Sequence, residues 1–465
     1  MANARSSLRF LGGAGTVTGS KYLLEYGDRR ILIDAGLFQG EKKLRLLNWD
    51  SFPVSPRGID TILLTHAHMD HVGYLPRLVK QGFSGPVWAT DGSELLAEVV
   101  LYDSAKLQEH DAENAAKNGY SKHENPEPLY TTADVDKTLK LLRFADFGVE
   151  IDLGDGITAR YYRAGHILGS ASVHVTTPDA EVLFSGDLGR HDHPVLKGRE
   201  TPEGAPTVLI ESTYGDREHP DWDEEPHEDL AEAIRRTIAR GGNVLIPAFA
   251  VDRTEVVLLT LNRMRAAARI PDVPIYINSP MGARALEIYQ SPSQRDELRE
   301  DLRDHDFLDM RNIRVVTSTE ESIRLNRPSE PCIIISSSGM ATGGRVVHHL
   351  EHMLPDARNT VVFTGYQAKG TRGRTLIDGA TELKMFGKYV PVKAEVLLDD
   401  GFSVHADASD LMDWLKELQP RPKIVYCVHG EDGAPVLARR IRKELGITAV
   451  VPRLNEKVLV AGRFD

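Results

Sequence analysis

The chain has 465 residues, 41% of them hydrophobic, with 56 Lys and Arg against 68 Asp and Glu for a formal net charge of −12. That length holds two or three domains with sizeable cores, and the acidic balance excludes a globally basic nucleic-acid coat while leaving room for a local basic groove. Two cysteines far apart in the chain, Cys332 and Cys427, suggest neither a disulfide framework nor a cysteine zinc site. No apolar signal core opens the chain and no run reaches the roughly eighteen apolar residues of a membrane span. The expectation is a soluble cytoplasmic protein with no membrane partner.

From residue 7 to about 65, and again from 147 to 213, short β-rich runs such as Lys-Tyr-Leu-Leu-Glu-Tyr, Arg-Ile-Leu-Ile and Glu-Val-Leu-Phe are joined by short connections. A long helical pattern opened by a Ser cap interrupts them at Ser93 to Tyr120. Residues 203 to 229 carry ten Asp or Glu against Arg217 alone and read as a solvated loop flanking Glu211. From about 243 to 378 each apolar strand is followed by a helical stretch, the alternation that builds a parallel sheet. After 393 the chain reads strand, loop, helix (Ala408 to Leu418), strand, helix (Gly433 to Leu445) and a last strand. The middle is expected to be an insertion.

Residues 61 to 73 carry the chemistry: an apolar strand runs into His66, His68, Asp70 and His71, four ligand-type side chains within six positions. His66 and His68, two apart in an extended segment, face the same way, while Asp70 and His71 fall where the chain turns into the next helix, so one loop serves two neighbouring cations with N and O donors. Further ligands lie at later strand ends, His166 in Ala-Gly-His-Ile-Leu-Gly, Asp187 in Phe-Ser-Gly-Asp-Leu-Gly and His429 in Cys-Val-His-Gly. A carboxylate bridges two cations and an imidazole ordinarily does not. His66, His68 and His166 are therefore assigned to one metal, Asp70, His71 and His429 to the other, and Asp187 to both. Two zinc ions about 3.5–4 Å apart would activate a shared water and clamp an in-line displacement.

With these motifs the chain resembles the metallo-β-lactamase superfamily and, within it, the β-CASP group of RNA-processing nucleases, over essentially its whole length. The resemblance implies an α/β fold: a metallo-β-lactamase αββα sandwich, with a first part over 1–210 and a C-terminal part over 386–465, around a β-CASP domain inserted at 211–385 on a mainly parallel sheet. It implies that Asp34, ending Arg-Ile-Leu-Ile-Asp, supports the metal site, and that Glu211 holds His405 of Phe-Ser-Val-His-Ala-Asp. Asp34, Asp70, Glu211 and His405 then form the catalytic set, His405 acting as general acid on the leaving ribose oxygen. The implied activity is hydrolysis of single-stranded RNA by a hydroxide activated by two Zn2+, or Mn2+, in a cleft between core and insertion. Endonucleolytic cutting and 5′-to-3′ trimming both stay open, and relatives imply a homodimer. A small-molecule ester or thioester hydrolase on the same metal core is the alternative.

Gly12 to Gly19 has the wrong phasing for a dinucleotide fold and reads as a turn lining the metal cleft, with no nucleotide cofactor. Ser337, Ser338, Gly339 and Met340 follow an apolar strand and open a helical pattern, which suits an anion site, and the resemblance suggests that they grip an RNA phosphate. Lys369, Arg372 and Arg374 begin a locally basic stretch that could track a phosphate backbone. Asp252 stands where the family more often has Gly and is assigned no role. His191 and His193 read as rim residues, Cys427 as a buried strand residue, and His348, His349 and His352 as lacking the spacing of a second metal site.

Overall fold

The computed structural model describes residues 5–118, 126–219, 227–304, 307 and 312–464. Residues 119–120 of the long helical pattern and 220–226 of the acidic loop lie outside that set. Contacts divide the chain into two compact units, the first Met1–Gln39, Lys43–Glu218 and Val404–Asp465, the second Gly40–Lys42 and His219–Ser403.

The first unit is built on two mixed seven-stranded sheets. One runs, edge to edge, Lys457–Leu459, Ser7–Phe10, Tyr22–Tyr26, Arg29–Ile33, Thr61–Leu63, Val87–Ala89 and Leu142–Phe144. The other runs Thr448–Val450, Ile424–Val428, Thr207–Glu211, Glu181–Phe184, Ala171–Thr176, Ile157–Arg163 and Glu150–Gly154. Their inner faces share one core, in which Leu8, Phe10, Leu24 and Ile33 meet Tyr161, Val173, Phe184 and Leu209. Alternation decides which side chains enter it: in Ile157–Arg163 the odd-numbered Ile157, Ala159 and Tyr161 are buried and their neighbours are not. The second sheet's outer face is covered by the helices Ala408–Glu417 and Gly433–Leu445, whose Leu411, Trp414, Leu437 and Ile441 pack on Val208, Ile210 and Val425.

The second unit holds a six-stranded sheet in the order Ile313–Val315, Ile275–Ile277, Ile333–Ser336, Val244–Pro247, Thr360–Phe363 and Glu395–Leu398. Every pairing is parallel. The three central strands, Ile333–Ser336, Val244–Pro247 and Thr360–Phe363, are buried at every position and read as near-continuous apolar runs, as strands covered on both faces do. Two differences from the sequence reading have local causes. The units change over at 218/219 and 403/404, since Glu395–Leu398 pairs with Thr360–Phe363 while Tyr214 bridges Asp407. The long helix is Asp91–Asn118, opened two residues earlier than expected: Thr90 Oγ1 accepts from the Ser93 amide at 3.3 Å, so Thr90 is the cap and Ser93 lies in the first turn.

Candidate metal centre

Six strands of the first unit deliver their functional side chains at their carboxyl ends, the edge at which open α/β sheets ordinarily bind ligands. Asp34 follows Arg29–Ile33, His66 lies three past Thr61–Leu63, and His166 and Asp187 lie three past Ile157–Arg163 and Glu181–Phe184. Glu211 closes Thr207–Glu211, and His429 is the first residue after Ile424–Val428. The chain turns sharply there: Asp34 and His429 both stand in the left-handed region, at φ 60° and 49°, a conformation of non-glycine residues that accumulates at functional sites.

The donors converge in two groups. Atoms of His66, His68, His166 and Asp187 lie within 4.8 Å of one another, and so do atoms of Asp70, His71 and His429. His68 Nδ1 is 3.1 Å from His66 Nε2 and 3.3 Å from His166 Nε2, and Asp187 Oδ2 is 3.7 and 3.8 Å from those two Nε2 atoms. The other oxygen of Asp187 is 3.3 Å from His71 Nε2 and 3.4 Å from His429 Nδ1, and His429 Nε2 is 3.2 Å from Asp70 Oδ2. The Asp187 carboxylate thus spans both groups. It is 2% exposed, and its Oδ1 makes no hydrogen bond among the described residues. A buried carboxylate oxygen without a donor, ringed by imidazole nitrogens, is the donor chemistry of a divalent cation site, and the residues fit that group.

Further side chains hold the donors in place. The Asp34 carboxylate accepts from the Thr65 amide at 2.8 Å, from Thr65 Oγ1 at 2.9 Å and from His71 Nδ1 at 2.7 Å. It thereby turns Nε2 of His71 toward Asp187, the outer-shell role of a carboxylate behind a ligating imidazole. Thr213 Oγ1 lies 3.0 Å from His429 Nδ1, and the Ser170 hydroxyl accepts from the His166 amide at 2.8 Å. The Gly12 to Gly19 loop lies against the site, the Gly13 carbonyl accepting from the His429 amide at 2.6 Å and the Ser20 amide donating to the Asp70 carbonyl at 2.8 Å. Thr65, Ser170 and Thr213 were not singled out by the sequence reading. Their signal was adjacency alone, one before His66, four after His166 and two after Glu211.

Electrostatics separate the two groups. Burial pushes His66 and His166 well below the ordinary histidine range and His68 to about 4. Burial also disfavours charge on His71 and His429, yet Asp187 with Asp34 and Asp70 holds both above that range. Burial alone would raise the Asp187 carboxyl, but His429, His71 and His66 together keep it well below normal.

His405 stands beside this cluster, its ring centroid 4.3 Å from that of His166. Its Nδ1 is 3.2 Å from Glu211 Oε1. Glu211 is itself fixed, accepting from the Leu188 amide at 2.9 Å and the Thr213 amide at 3.1 Å. The residues around His405 pair with the segment after Asp187: the Ala406 amide donates to the Leu188 carbonyl at 2.7 Å and the Arg190 amide to the Val404 carbonyl at 3.0 Å. His193 is no rim residue but 1% exposed, because its Nδ1 accepts from the Val195 and Leu196 amides at 3.1 and 2.9 Å. His191 is exposed, 3.1 Å from Asp410, and Cys427 is buried.

The expected phosphate-gripping residues lie in the second unit. Ser337, Ser338, Gly339 and Met340 form the turn between Ile333–Ser336 and the helix Arg345–Met353. The turn is held from the side by Gln367 Nε2 on the Gly339 carbonyl at 3.2 Å and by the Gly373 amide on the Met340 carbonyl at 3.1 Å. Arg372 Nη1 donates to the Ala341 and Thr342 carbonyls at 3.3 and 2.8 Å, and Arg374 pairs with Asp378 at 2.9 Å. Lys369 lies three residues before Arg372, in the same stretch. Asp252 stands at φ 67°, the left-handed conformation in which glycine is unstrained, and takes a 3.1 Å hydrogen bond from the Tyr289 hydroxyl. Among the described residues no helix is long and apolar enough to cross a membrane.

Comparison with known proteins converges on one family. Residues 14–248 match the family described as the metallo-beta-lactamase superfamily, residues 254–376 the Beta-Casp domain, and residues 389–452 a Zn-dependent metallo-hydrolase RNA specificity domain. The chain is 40% identical over 455 residues to Ribonuclease TTHA0252 of Thermus thermophilus, covering 97% of this chain and 99% of that protein. It is 35% identical over 461 residues to Transcription termination factor FttA of Methanosarcina mazei, covering 94% of this chain and 69% of that one. A crystal structure of a protein of unknown function from Enterococcus faecalis V583 shares the fold, with a TM-score of 0.51 at 14% identity over 98% of this chain and 100% of that chain.

Proposed function

This chain belongs to the metallo-β-lactamase superfamily and carries that superfamily's Beta-Casp domain, and on that premise we propose that it is a metal-dependent ribonuclease hydrolysing phosphodiester bonds of single-stranded RNA. One observation carries the reading: a two-group donor cluster bridged by Asp187 lies directly beside a histidine anchored on a buried carboxylate. The relative named a ribonuclease and the matched RNA specificity domain support RNA as substrate.

His66, His68, His166 and Asp187 would hold one divalent cation, and Asp70, His71, His429 and Asp187 a second, zinc or alternatively manganese. Such a pair, when bound, supplies water activation and Lewis-acid stabilisation of charge developing on the phosphoryl oxygens. The protein's own groups do the rest. Asp34 fixes the ring of His71, and Thr213 that of His429, so neither imidazole reorganises during the reaction. Glu211 takes Nδ1 of His405, and Nε2 then carries the proton that passes to the departing 3′ oxygen. Ser337, Ser338, Gly339 and Met340 offer backbone and hydroxyl donors to a phosphate of the substrate strand. Arg372 shapes that turn through its carbonyls, Lys369 adds positive charge, and the charge of Arg374 is engaged by Asp378.

The test is a time course on 5′-labelled single-stranded RNA with zinc-loaded protein, a chelated sample and a His405→Ala variant. Internal fragments or labelled mononucleotide appear with the loaded protein alone, and His405→Ala loses roughly 100-fold or more of the rate while keeping its metal. Intact RNA from a protein carrying two bound metals would overturn the assignment.

A further inference from the structure

We propose that the exposed hairpin of the second unit, Glu382–Met385 with Lys388–Pro391, is a stacking platform for single-stranded RNA built on Phe386 and Tyr389; this deepens the ribonuclease reading and rests on it. The two strands pair antiparallel with Lys384 opposite Tyr389 and Met385 opposite Lys388. Their inner face is anchored, since Leu383, Met385 and Val390 are buried in the core of this unit. On the outer face Phe386 is 55% and Tyr389 63% exposed.

The turn sharpens the point. Phe386 and Gly387 both stand in the left-handed region, at φ 48° and 79°, the geometry of a tight hairpin in which Asn-Gly or Gly-Gly is the unstrained choice. A phenylalanine there accepts backbone strain that asparagine or glycine would not carry, while more than half of its surface stays exposed. Strain of this kind points to a function for the residue that bears it.

One flat ring and one ammonium lie against the two aromatics. The His348 ring, exposed on the helix Arg345–Met353, stacks on Phe386 at 4.7 Å and 22°. Lys384 Nζ lies 5.8 Å from the centre of the Tyr389 ring, and Lys388 pairs with Glu351. The stretch from 369 to 393 carries six basic residues against two acidic ones in a chain of net charge −12. Aromatic faces interleaved with ammonium groups suit bases that stack while phosphates are neutralised, without regard to base identity. A second copy of this acidic chain is the poorer electrostatic complement.

Anisotropy of a labelled single-stranded oligouridylate on metal-loaded protein, in a His405→Ala background whose cutting is slowed roughly 100-fold or more, tests the platform. Phe386→Asn and Tyr389→Ala should each weaken binding roughly fivefold or more, and Lys384→Ala should lower the salt dependence by about one counterion. Phe386→Asn relaxes the turn, so its melting temperature should hold or rise while affinity falls, which separates lost binding from lost structure. Unchanged affinity in both aromatic variants would overturn the platform and leave the ribonuclease reading standing. If the parent itself binds no RNA, the ribonuclease reading falls and the platform falls with it. Loss of a dimer in light scattering with RNA affinity intact would overturn the platform in favour of an interface between copies.

Discussion

The two donor groups differ in proton chemistry before any metal arrives. Burial keeps the imidazoles of His66, His68 and His166 neutral, with His68 at about 4, so a cation displaces no proton from them near neutral pH. Burial opposes charge on His71 and His429 as well, but Asp187, Asp34 and Asp70 raise both, and each must shed a proton to ligate. Protons therefore compete for the Asp70, His71 and His429 group alone, and its affinity should fall as pH falls, by up to about tenfold per pH unit for each proton displaced. Calorimetric zinc titrations at pH 6, 7 and 8 should show proton release in one binding step and a widening gap between two affinities toward low pH. Equal weakening of both steps would refute this account. In the metal-free protein the sign is opposite. A raised folded pKa contributes stability that is fully present below the ordinary histidine value and lost as pH rises through the folded one.

At the scale of elements, the short helix Met69–Val72 is clamped to the segment after Asp34 by backbone alone. The Ala35 amide donates to the His71 carbonyl at 2.7 Å, and the Leu37 amide to the Met69 carbonyl at 2.9 Å. Gly36 between them lies so close that a Cβ there would sit 1.6 Å from the Asp70 carbonyl oxygen. Gly36→Ala must push the helix away and should cost about 1–3 kcal/mol or more, with loss of the metal that Asp70 and His71 would hold. Thermal unfolding and metal content of the variant check this, and full occupancy would refute it. The element carrying Asp70 and His71 was legible in the sequence as the point where an apolar strand meets four ligand-type residues. The clamp was not, because a backbone-to-backbone approach leaves no trace in side-chain pattern beyond the glycine itself. The cap of the long helix shows the same limit: Thr90 and Ser93 are both good caps, and only the hydrogen bond from the Ser93 amide to Thr90 Oγ1 separates them.

At the scale of the whole molecule, folding buries the Lys21 ammonium, and among the described residues no carboxylate pairs with it. Lys21 is 3% exposed; its Nζ donates to the Gly36 carbonyl at 2.6 Å and lies 4.1 Å from the Phe38 ring centre. Burial lowers its pKa from 10.5 to about 7, a penalty on the charged form of roughly 4–5 kcal/mol. The unfolded chain holds that proton up to its ordinary value, so the penalty is complete below about pH 7 and fades as pH rises toward 10.5. Lys21→Met should therefore raise global stability most below neutrality, by a few kcal/mol, with the gain shrinking at alkaline pH. Denaturant melts of the two proteins from pH 6 to 10 measure it, and a gain independent of pH would show that the lysine is not the cause.

The sequence by itself determined the chemistry: which residues can ligate a cation, that they stand at strand ends, and that a parallel layer interrupts two sheet-rich segments. These are local properties, carried by periodicity over a few residues and by donor type. Only the tertiary structure decided which atoms meet. His429 reaches Asp70 across a separation of 359 positions, Thr213 meets the ring of His429 from 216 positions away, and Lys21 is buried where its run reads as an ordinary strand. The physical reason is that packing joins segments whose sequences carry no record of one another, and the direction of each nitrogen and oxygen is set by that packing.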